Sequence, residues 1–427
     1  MVALPMGVRA GGPSPSGLQW HSPDGVANIG HVAQKTMSHV REINCIGELA
    51  GYRSAWRQLL AETPGACFFQ SLEWLEVYWR YFGADADLRV LVVEDDSGNP
   101  TGILPMRLYL ERSRLGPMRL LTYPLHDWGA FYGPIGPDPR DTLAEGLAHV
   151  RRKRRDWDAV ELRWLGCPRT DLRHTEDAFR GAGMAAYPTV WAETALVDLA
   201  GAGDWTTYFA GRTGSLRNNF RRRQKKLAAR GELRFERYRP GGSEVGEMDP
   251  RWDLYEHCER LAGQSWQAAM SFGTTLSSDS VRPFLRDVHQ AAIQCGAADL
   301  NLLWLDDRPL AFAYNYHYRG HVSGLRVGYD QEFARQGVGS LLWLMSLRDS
   351  FERGDWLYDM GVGSLQSKRH YRTHIVPVFR FSHYPAASLL PNVLRLKRLA
   401  DGYLLGADAA LALDEGSSDP SWLTRSS

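Results

Sequence analysis

Three things are scarce in this chain of 427 residues: cysteine, net charge and long apolar runs. The five cysteines, Cys45, Cys67, Cys167, Cys258 and Cys295, are odd in number and widely scattered. That spacing excludes a disulfide framework, a zinc knuckle and a redox pair, and it fits a reducing compartment. Fifty Lys and Arg against forty-nine Asp and Glu leave a formal charge of +1, so no global field draws the protein to nucleic acid or an anionic membrane. Any basic function has to be local. No run approaches the roughly 18 apolar residues of a membrane helix. Nor does a basic stretch followed by an apolar core open the chain, so the expectation is a cytoplasmic protein with no membrane span. A Gly-x-Ser-x-Gly elbow and a Walker loop are both missing, which removes the usual signatures of a hydrolase or an ATPase.

What the chain does have is an ordinary globular composition, 44% hydrophobic and 23% charged, at a length that predicts two domains. One pattern occurs twice. "LRVLVVEDDSGNPTGILPMRLYL" (88 to 110) is an apolar run, a turn of Asp, Gly and Pro, and a second run, the signature of a β-hairpin. "ADLNLLWLDDRPLAFAYNYHY" (298 to 318) repeats it, and helical stretches precede both. This period is far too long for a solenoid, so duplicated domains are expected. After the second hairpin come a strand, a glycine stretch, a helix to about Arg353, the strand "DWLYDMG", a short helical piece and the strand "IVPVFRFSHY". The predicted class is α/β, two tandem domains with mixed sheets flanked by helices. The expected division is a flexible extension (1–40), a first domain (41–200), a basic helical linker (201–240), a second domain with the cofactor site (241–390), and a helical segment with a flexible tail (391–427).

The glycine stretch "ARQGVGSLLWLMSLR" lies between a strand ending at Tyr329 and a helix whose Val338, Leu341, Leu342 and Met345 share one face. Free amides and the helix dipole at such a start favour an anion such as a diphosphate. Taken alone, two glycines more often mark a tight turn.

The company the stretch keeps points further. Antiparallel strands, a glycine-loop helix and then a strand opening with an aromatic and an acid resemble the Gcn5-related N-acetyltransferases from about residue 280 to 384. The pieces "FFQSLEWLEVYWRYFG", "DWGAFYGPIGP", "SLRNNFRRRQKKLAARGEL", "GYDQEFARQGVGSLLW" and "LYDMGVGSLQSKRHYR" resemble the CelD-like acetyltransferases of cellulose and exopolysaccharide clusters, grouped with FemAB-like proteins. The resemblance implies two tandem acetyltransferase-like domains and acetyl-coenzyme A, or another acyl-coenzyme A, as co-substrate. It implies cofactor contacts from Val327, Gly328, Arg335, Gln336, Gly337, Val338, Gly339 and Ser340. Gly328 is the expected site of a β-bulge. The usual loop starts with Gln or Arg where Ala334 stands, so backbone contacts are expected to outweigh those of the Arg335 and Gln336 side chains. Ser367 replaces the aromatic that usually precedes the lysine found here as Lys368.

Acyl transfer to an amine needs a neutral amine, a stabilised oxyanion and a proton for the departing thiolate. Asp330 and Glu332, just before the loop, and Asp359, between aromatic and apolar neighbours, are the carboxylates in question. Asp330 and Glu332 fit a solvated loop equally well, whereas a buried Asp359 needs a partner or a purpose. Lys368 is a candidate for charge stabilisation, and Tyr371 stands where related enzymes carry the tyrosine that protonates the thiolate. The expected acceptor is a small-molecule or glycan amine in a cleft lined by "TYPLHDWGAFYG", an amino sugar or polysaccharide-related compound among the options.

Two rival constellations remain. Arg217, Arg221 and Lys225, flanked by Arg222 and Lys226, make one helix face basic. The stripe is a solvated connecting helix, a contact for RNA phosphates or a contact for an anionic lipid- or nucleotide-linked sugar, and FemAB relatives use aminoacyl-tRNA as donor. An aminoacyl-tRNA dependent transferase and a non-catalytic partner of a polysaccharide synthase are therefore the alternatives. Outside the first of these no nucleic acid is expected. His317 with His321 spans a hairpin turn, and His370 with His374 lacks the glutamate of a metalloprotease helix, so no metal site is expected.

Overall fold

The protein is described from a computed structural model, covering residues 39–113, 116–168, 170–264, 275–386, 393 and 396. The expected extension and tail lie almost entirely outside these residues.

Six strands come from the first half of the chain: β1 (His39–Ile43), β2 (Ala86–Glu94), β3 (Pro100–Ser113), β4 (Gly116–Thr122), β5 (Ala159–Leu165) and β6 (Tyr187–Asp198). Six come from the second: β7 (Leu233–Tyr238), β8 (Ala298–Leu305), β9 (Arg308–Tyr318), β10 (His321–Tyr329), β11 (Leu357–Val362) and β12 (His374–His383). Both predicted hairpins are present, as β2/β3 and β8/β9. All twelve strands join one sheet in the order β1-β2-β3-β4-β5-β12-β6-β11-β10-β9-β8-β7. Each half therefore contributes five strands to its own side and sends its sixth across, β12 pairing with β5 and β6 pairing with β11. Every pairing is antiparallel except β4 with β5 and β10 with β11, which occupy equivalent places in the two halves. The mixed α/β class and the duplication are as expected from the sequence. The two sheets are one, because the exchanged strands pair with each other from His374↔Leu196 to Ser382↔Tyr187.

Helices cover both faces: α1 (Arg53–Glu62), α2 (Leu72–Phe82), α3 (Pro139–Arg152), α4 (Leu172–Gly181), α5 (Leu199–Ala202), α6 (Trp205–Ala210), α7 (Gly214–Ala228), α8 (Trp252–Gln264), α9 (Arg282–Gln294), α10 (Val338–Glu352) and α11 (Leu365–Lys368). Coverage on both faces explains why "ADLNLLWL" of β8 shows no alternation, since all eight residues are buried. The stretch 201–240 contains α6 and α7 and also β7, which closes the sheet beside β8.

One aromatic contact ties the helices of the two halves together, and one buried ion network braces the second half. Phe284 of α9 packs against Trp74 of α2 at 5.8 Å and Trp128 at 4.7 Å, an aromatic contact between helix equivalents. At the far end of the sheet, Arg237 of β7 lies fully buried between Asp299 (2.8 Å) and Asp349 (3.0 Å), and Arg239 holds Asp355 at 2.7 Å. Burial alone would raise both acids; the Arg237 and Arg239 guanidiniums instead hold Asp299, and hydrogen bonds with His317 and Arg239 hold Asp355, well below the usual carboxylate range.

The exchange makes a direct prediction. A chain ending at Thr373 lacks β12, leaving β5 and β6 with open edges in the middle of the sheet. It is expected to show no cooperative thermal transition by circular dichroism, and a surviving cooperative melt of the first half would show that the exchange is dispensable.

Candidate active site

The second half opens where its parallel pair separates. β10 and β11 are in register only over His321–Ser323 with Leu357–Asp359. Just beyond, Gly324 and Gly361 bring the two backbones into contact: a Cβ on Gly324 would stand 2.7 Å from the Asp359 carbonyl oxygen, and one on Gly361 2.6 Å from that of Gly324. Gly361 also has φ of +79°, a conformation that favours glycine. From this point the strands diverge around a cleft of about 300 Å³. Gly324 to Arg326 form one wall, Met360 to Val362 another, and Asp127 to Ala130 with Trp164 and Trp191 close it from the first half. The expected "TYPLHDWGAFYG" segment therefore does line a cleft between the halves.

The β-bulge lies in this wall, but not at Gly328. The ladder to β9 shifts between Gly324 and Arg326, so Leu325 is the inserted residue, whereas Gly328 pairs regularly with Phe312. Gly328 is small for a steric reason: a Cβ there would lie 2.4 Å from the Phe312 ring. The insertion puts Leu325 out of register with β9 at the point where β10 and β11 diverge. Val327 is in regular register with Ala313 and packs into the core beneath α10.

At the far end of β10 the chain turns through a short 3-10 helix, Gln331–Gln336, into α10. Gly337, with φ of +68°, is the N-cap, and no side chain caps the helix. The amides of Val338, Gly339 and Ser340 are thus the open start of a 15-residue helix. Val338 is buried in the core, Arg335 is exposed, and the Gln336 Oε1 is buried without a hydrogen-bond partner. Tyr371 reaches this end. Its ring packs edge-on to Trp343 of α10 at 5.0 Å. Burial raises its phenol pKa, while a hydrogen bond with Ser340 and the charge of Arg223 oppose the rise.

Asp359 and Lys368 come together behind the cleft rather than in its lining. Asp359 accepts from the Thr194 hydroxyl at 2.6 Å and from the Gly361 amide at 2.9 Å. Lys368 Nζ donates to the carbonyls of Gly361 and Val362, the latter at 3.2 Å. Both residues thus grip the backbone of the cleft rim from behind. Burial raises the Asp359 pKa and lowers that of Lys368 to about 8, each charge partly offsetting the other's shift. Asp330 caps the 3-10 helix through the Glu332 amide (2.9 Å) and accepts from Arg308 at 3.0 Å, with Glu332 on the same guanidinium. His317 pairs with Asp355 at 3.2 Å, and no cluster of three metal-ligating side chains exists among the described residues.

The equivalent place in the first half is closed. β4 and β5 pair over Leu120–Thr122 and Ala159–Glu161, and the loop that follows β4 returns over the pair, the Tyr132 amide donating to the Trp164 carbonyl at 2.8 Å. Trp164 is held there with φ of +66°, a strained conformation for a bulky residue. The start of α3 is capped by its own carboxylate, Asp138 accepting from the Asp141 amide. A carboxylate sits where α10 offers free amides, which disfavours an anion at the start of α3.

Two residues escape the sequence reading. Thr194 belongs to β6, and nothing near it in the sequence announces a contact with Asp359, 165 residues later. Arg223 sits inside a basic run, yet its guanidinium lies against Gly337: a Cβ there would stand 2.4 Å from Arg223 Cζ. A signal for it did exist, since Leu216, Phe220, Arg223 and Leu227 follow helical spacing.

Residues 214–370 match the family model described as an acetyltransferase (GNAT) domain. Among solved structures the fold is similar to that of FemX, with a TM-score of 0.56 and 11% identity over 83% of this chain and 99% of that one. Weaker likenesses are to the C-terminal domain of a putative lysylphosphatidylglycerol synthetase from Agrobacterium fabrum (TM-score 0.48, 14% identity, 83% of this chain and 97% of that one) and to a tandem GNAT protein from the clavulanic acid pathway (0.44, 13%, 82% and 100%). No curated protein matches the chain in sequence. The stretch matched by the acetyltransferase (GNAT) model runs from α7 to α11 and carries the open helix start and the divergent parallel pair.

Proposed function

We propose that the protein is an acyl-coenzyme A dependent N-acyltransferase with acetyl-coenzyme A as donor, acting on an amine that enters the cleft between β10 and β11. One observation carries this reading. The strand that diverges and bulges at Gly324–Arg326 leads directly into an uncapped helix start, so an anion seat and a reaction cleft lie along one strand. In this reading the amides of Val338 to Ser340 hold the diphosphate. The Leu325 amide takes the thioester oxygen as it gains charge, and Tyr371 returns a proton to the thiolate. Asp359 and Lys368 act by positioning, because they touch the Gly361–Val362 backbone and not the cleft. Asp330 has the same kind of role at the loop. The CelD-like resemblance makes an amino sugar or polysaccharide-related amine the first acceptor to test, and the chain's setting is cytoplasmic.

A second reading, transfer from aminoacyl-tRNA, is favoured by α7, whose cations find no carboxylate partner among the described residues, and by the FemX-like fold. Titration calorimetry separates the two. Coenzyme A is expected to bind, and Gly339→Asp, which sets a negative charge at the helix start, is expected to weaken it by roughly 100-fold. Salt-sensitive tRNA binding with no coenzyme A binding would sink the first reading.

Lys368 gives a test by pH. Its folded pKa of about 8 lies below the ordinary value of 10.5, so between these values the unfolded chain binds more protons and stability rises with pH. The Tm of the wild type minus that of Lys368→Met is expected to increase from pH 8 to pH 10. A constant difference would place the ammonium in solvent.

A further inference from the structure

α7 turns one face to the protein. Leu216, Phe220 and Leu227 on that face pack into the two clusters beneath α10. Residue 223 falls on the same stripe at helical spacing and is an arginine, where packing alone calls for an apolar side chain. Arg223 is half-buried, and it makes no hydrogen bond or ion pair with any described residue. Its guanidinium fills the space a side chain on residue 337 would need, which places it beside the uncapped start of α10. The same charge reaches the Tyr371 phenol. Just past the end of α7, Arg230 stacks on Phe333 at 5.1 Å, so α7 and the residues that leave it lie along the turn from Phe333 to Gly337. A half-buried cation with no acid to answer it costs free energy unless an anion completes it.

Resting on the donor assigned above, we propose that Arg223 is a diphosphate ligand supplied by α7. The phosphates of the coenzyme are gripped between the amides of α10 on one side and a fork-shaped guanidinium on the other. This deepens the donor site in a specific way. The loop's own Arg335 is exposed, so the partly buried charge beside the α10 amides comes from a different helix. The planar fork of arginine suits two phosphate oxygens, which a lysine cannot match. Gly337 is also explained twice over, by its left-handed backbone and by the guanidinium that occupies its side-chain space.

The test is calorimetric titration of the full chain with coenzyme A, with inorganic pyrophosphate and with bulk tRNA, at two salt concentrations. Arg223→Met keeps the aliphatic packing of the stem and removes the charge; Arg223→Lys keeps a charge and removes the fork. The expected result is a loss of roughly 10- to 100-fold in coenzyme A and pyrophosphate affinity for Arg223→Met, with a smaller loss for Arg223→Lys and an unchanged or higher Tm for both. The salt dependence of coenzyme A binding should weaken in Arg223→Met. If the wild type binds coenzyme A and Gly339→Asp does not, while Arg223→Met binds like the wild type, the proposal is overturned and the donor assignment stands. Loss of tRNA binding with unchanged coenzyme A binding also overturns it, in favour of RNA as the anion. A wild type that binds no coenzyme A removes the donor assignment and this proposal with it.

Discussion

The pairing of β6 with β12 is the constraint on which the rest of the structure depends. Each strand is the last of its half and lies in the other half's territory, so neither half possesses a complete sheet of its own. The pairing also sets the chemistry of two buried acids. Asp359 on β11 receives the hydroxyl of Thr194 from β6, and Glu161, in the equivalent position on β5, receives that of Ser382 from β12. In each case a carboxylate buried by one half accepts from a hydroxyl lent by the other, and Glu161 is also paired with Arg163 of its own strand at 2.6 Å. A buried acid without such a donor would carry a desolvation cost of several kcal/mol.

Given this near-symmetry, the difference between the halves is confined to two places. In the second half the chain after the fourth strand leaves by a left-handed glycine and starts a helix with open amides. In the first it folds back over the parallel pair and starts a helix already capped by Asp138. The loop that closes the first half is the one that lines the second half's cleft, through Asp127 to Ala130. One half has thus become a wall for the other. The strain held at Trp164 belongs to this arrangement, because the loop anchors on the Trp164 carbonyl.

The sequence made the duplication legible through two hairpins of matching grammar, and it marked the glycine turn because glycine, an apolar helical stripe and a preceding strand are all local signals. The exchange left no such mark. Which strand neighbours which is decided by pairing over some 180 residues, and β6 and β12 read as ordinary strands in either arrangement. The bulge shows why glycine misleads when it is read alone. Gly328 is small to admit the Phe312 ring, while the true insertion is Leu325, whose identity carries no trace of its irregular pairing. Arg223 was hidden for another reason. Among six cations on one helix only the spacing to Leu216, Phe220 and Leu227 distinguishes the one that faces inward.

The exchanged strands also govern the order in which the protein can be made. When β5 and β6 leave the ribosome, the strand that belongs between them has not been made, for it lies more than 170 residues further along the chain. The first half must wait with two unsatisfied edges in its centre, one of them the long strand Tyr187–Asp198. Contacts of such separation are slow to close. The nascent chain therefore passes through a long interval in which its own missing strand is the correct partner for those edges and any other extended segment is a competitor.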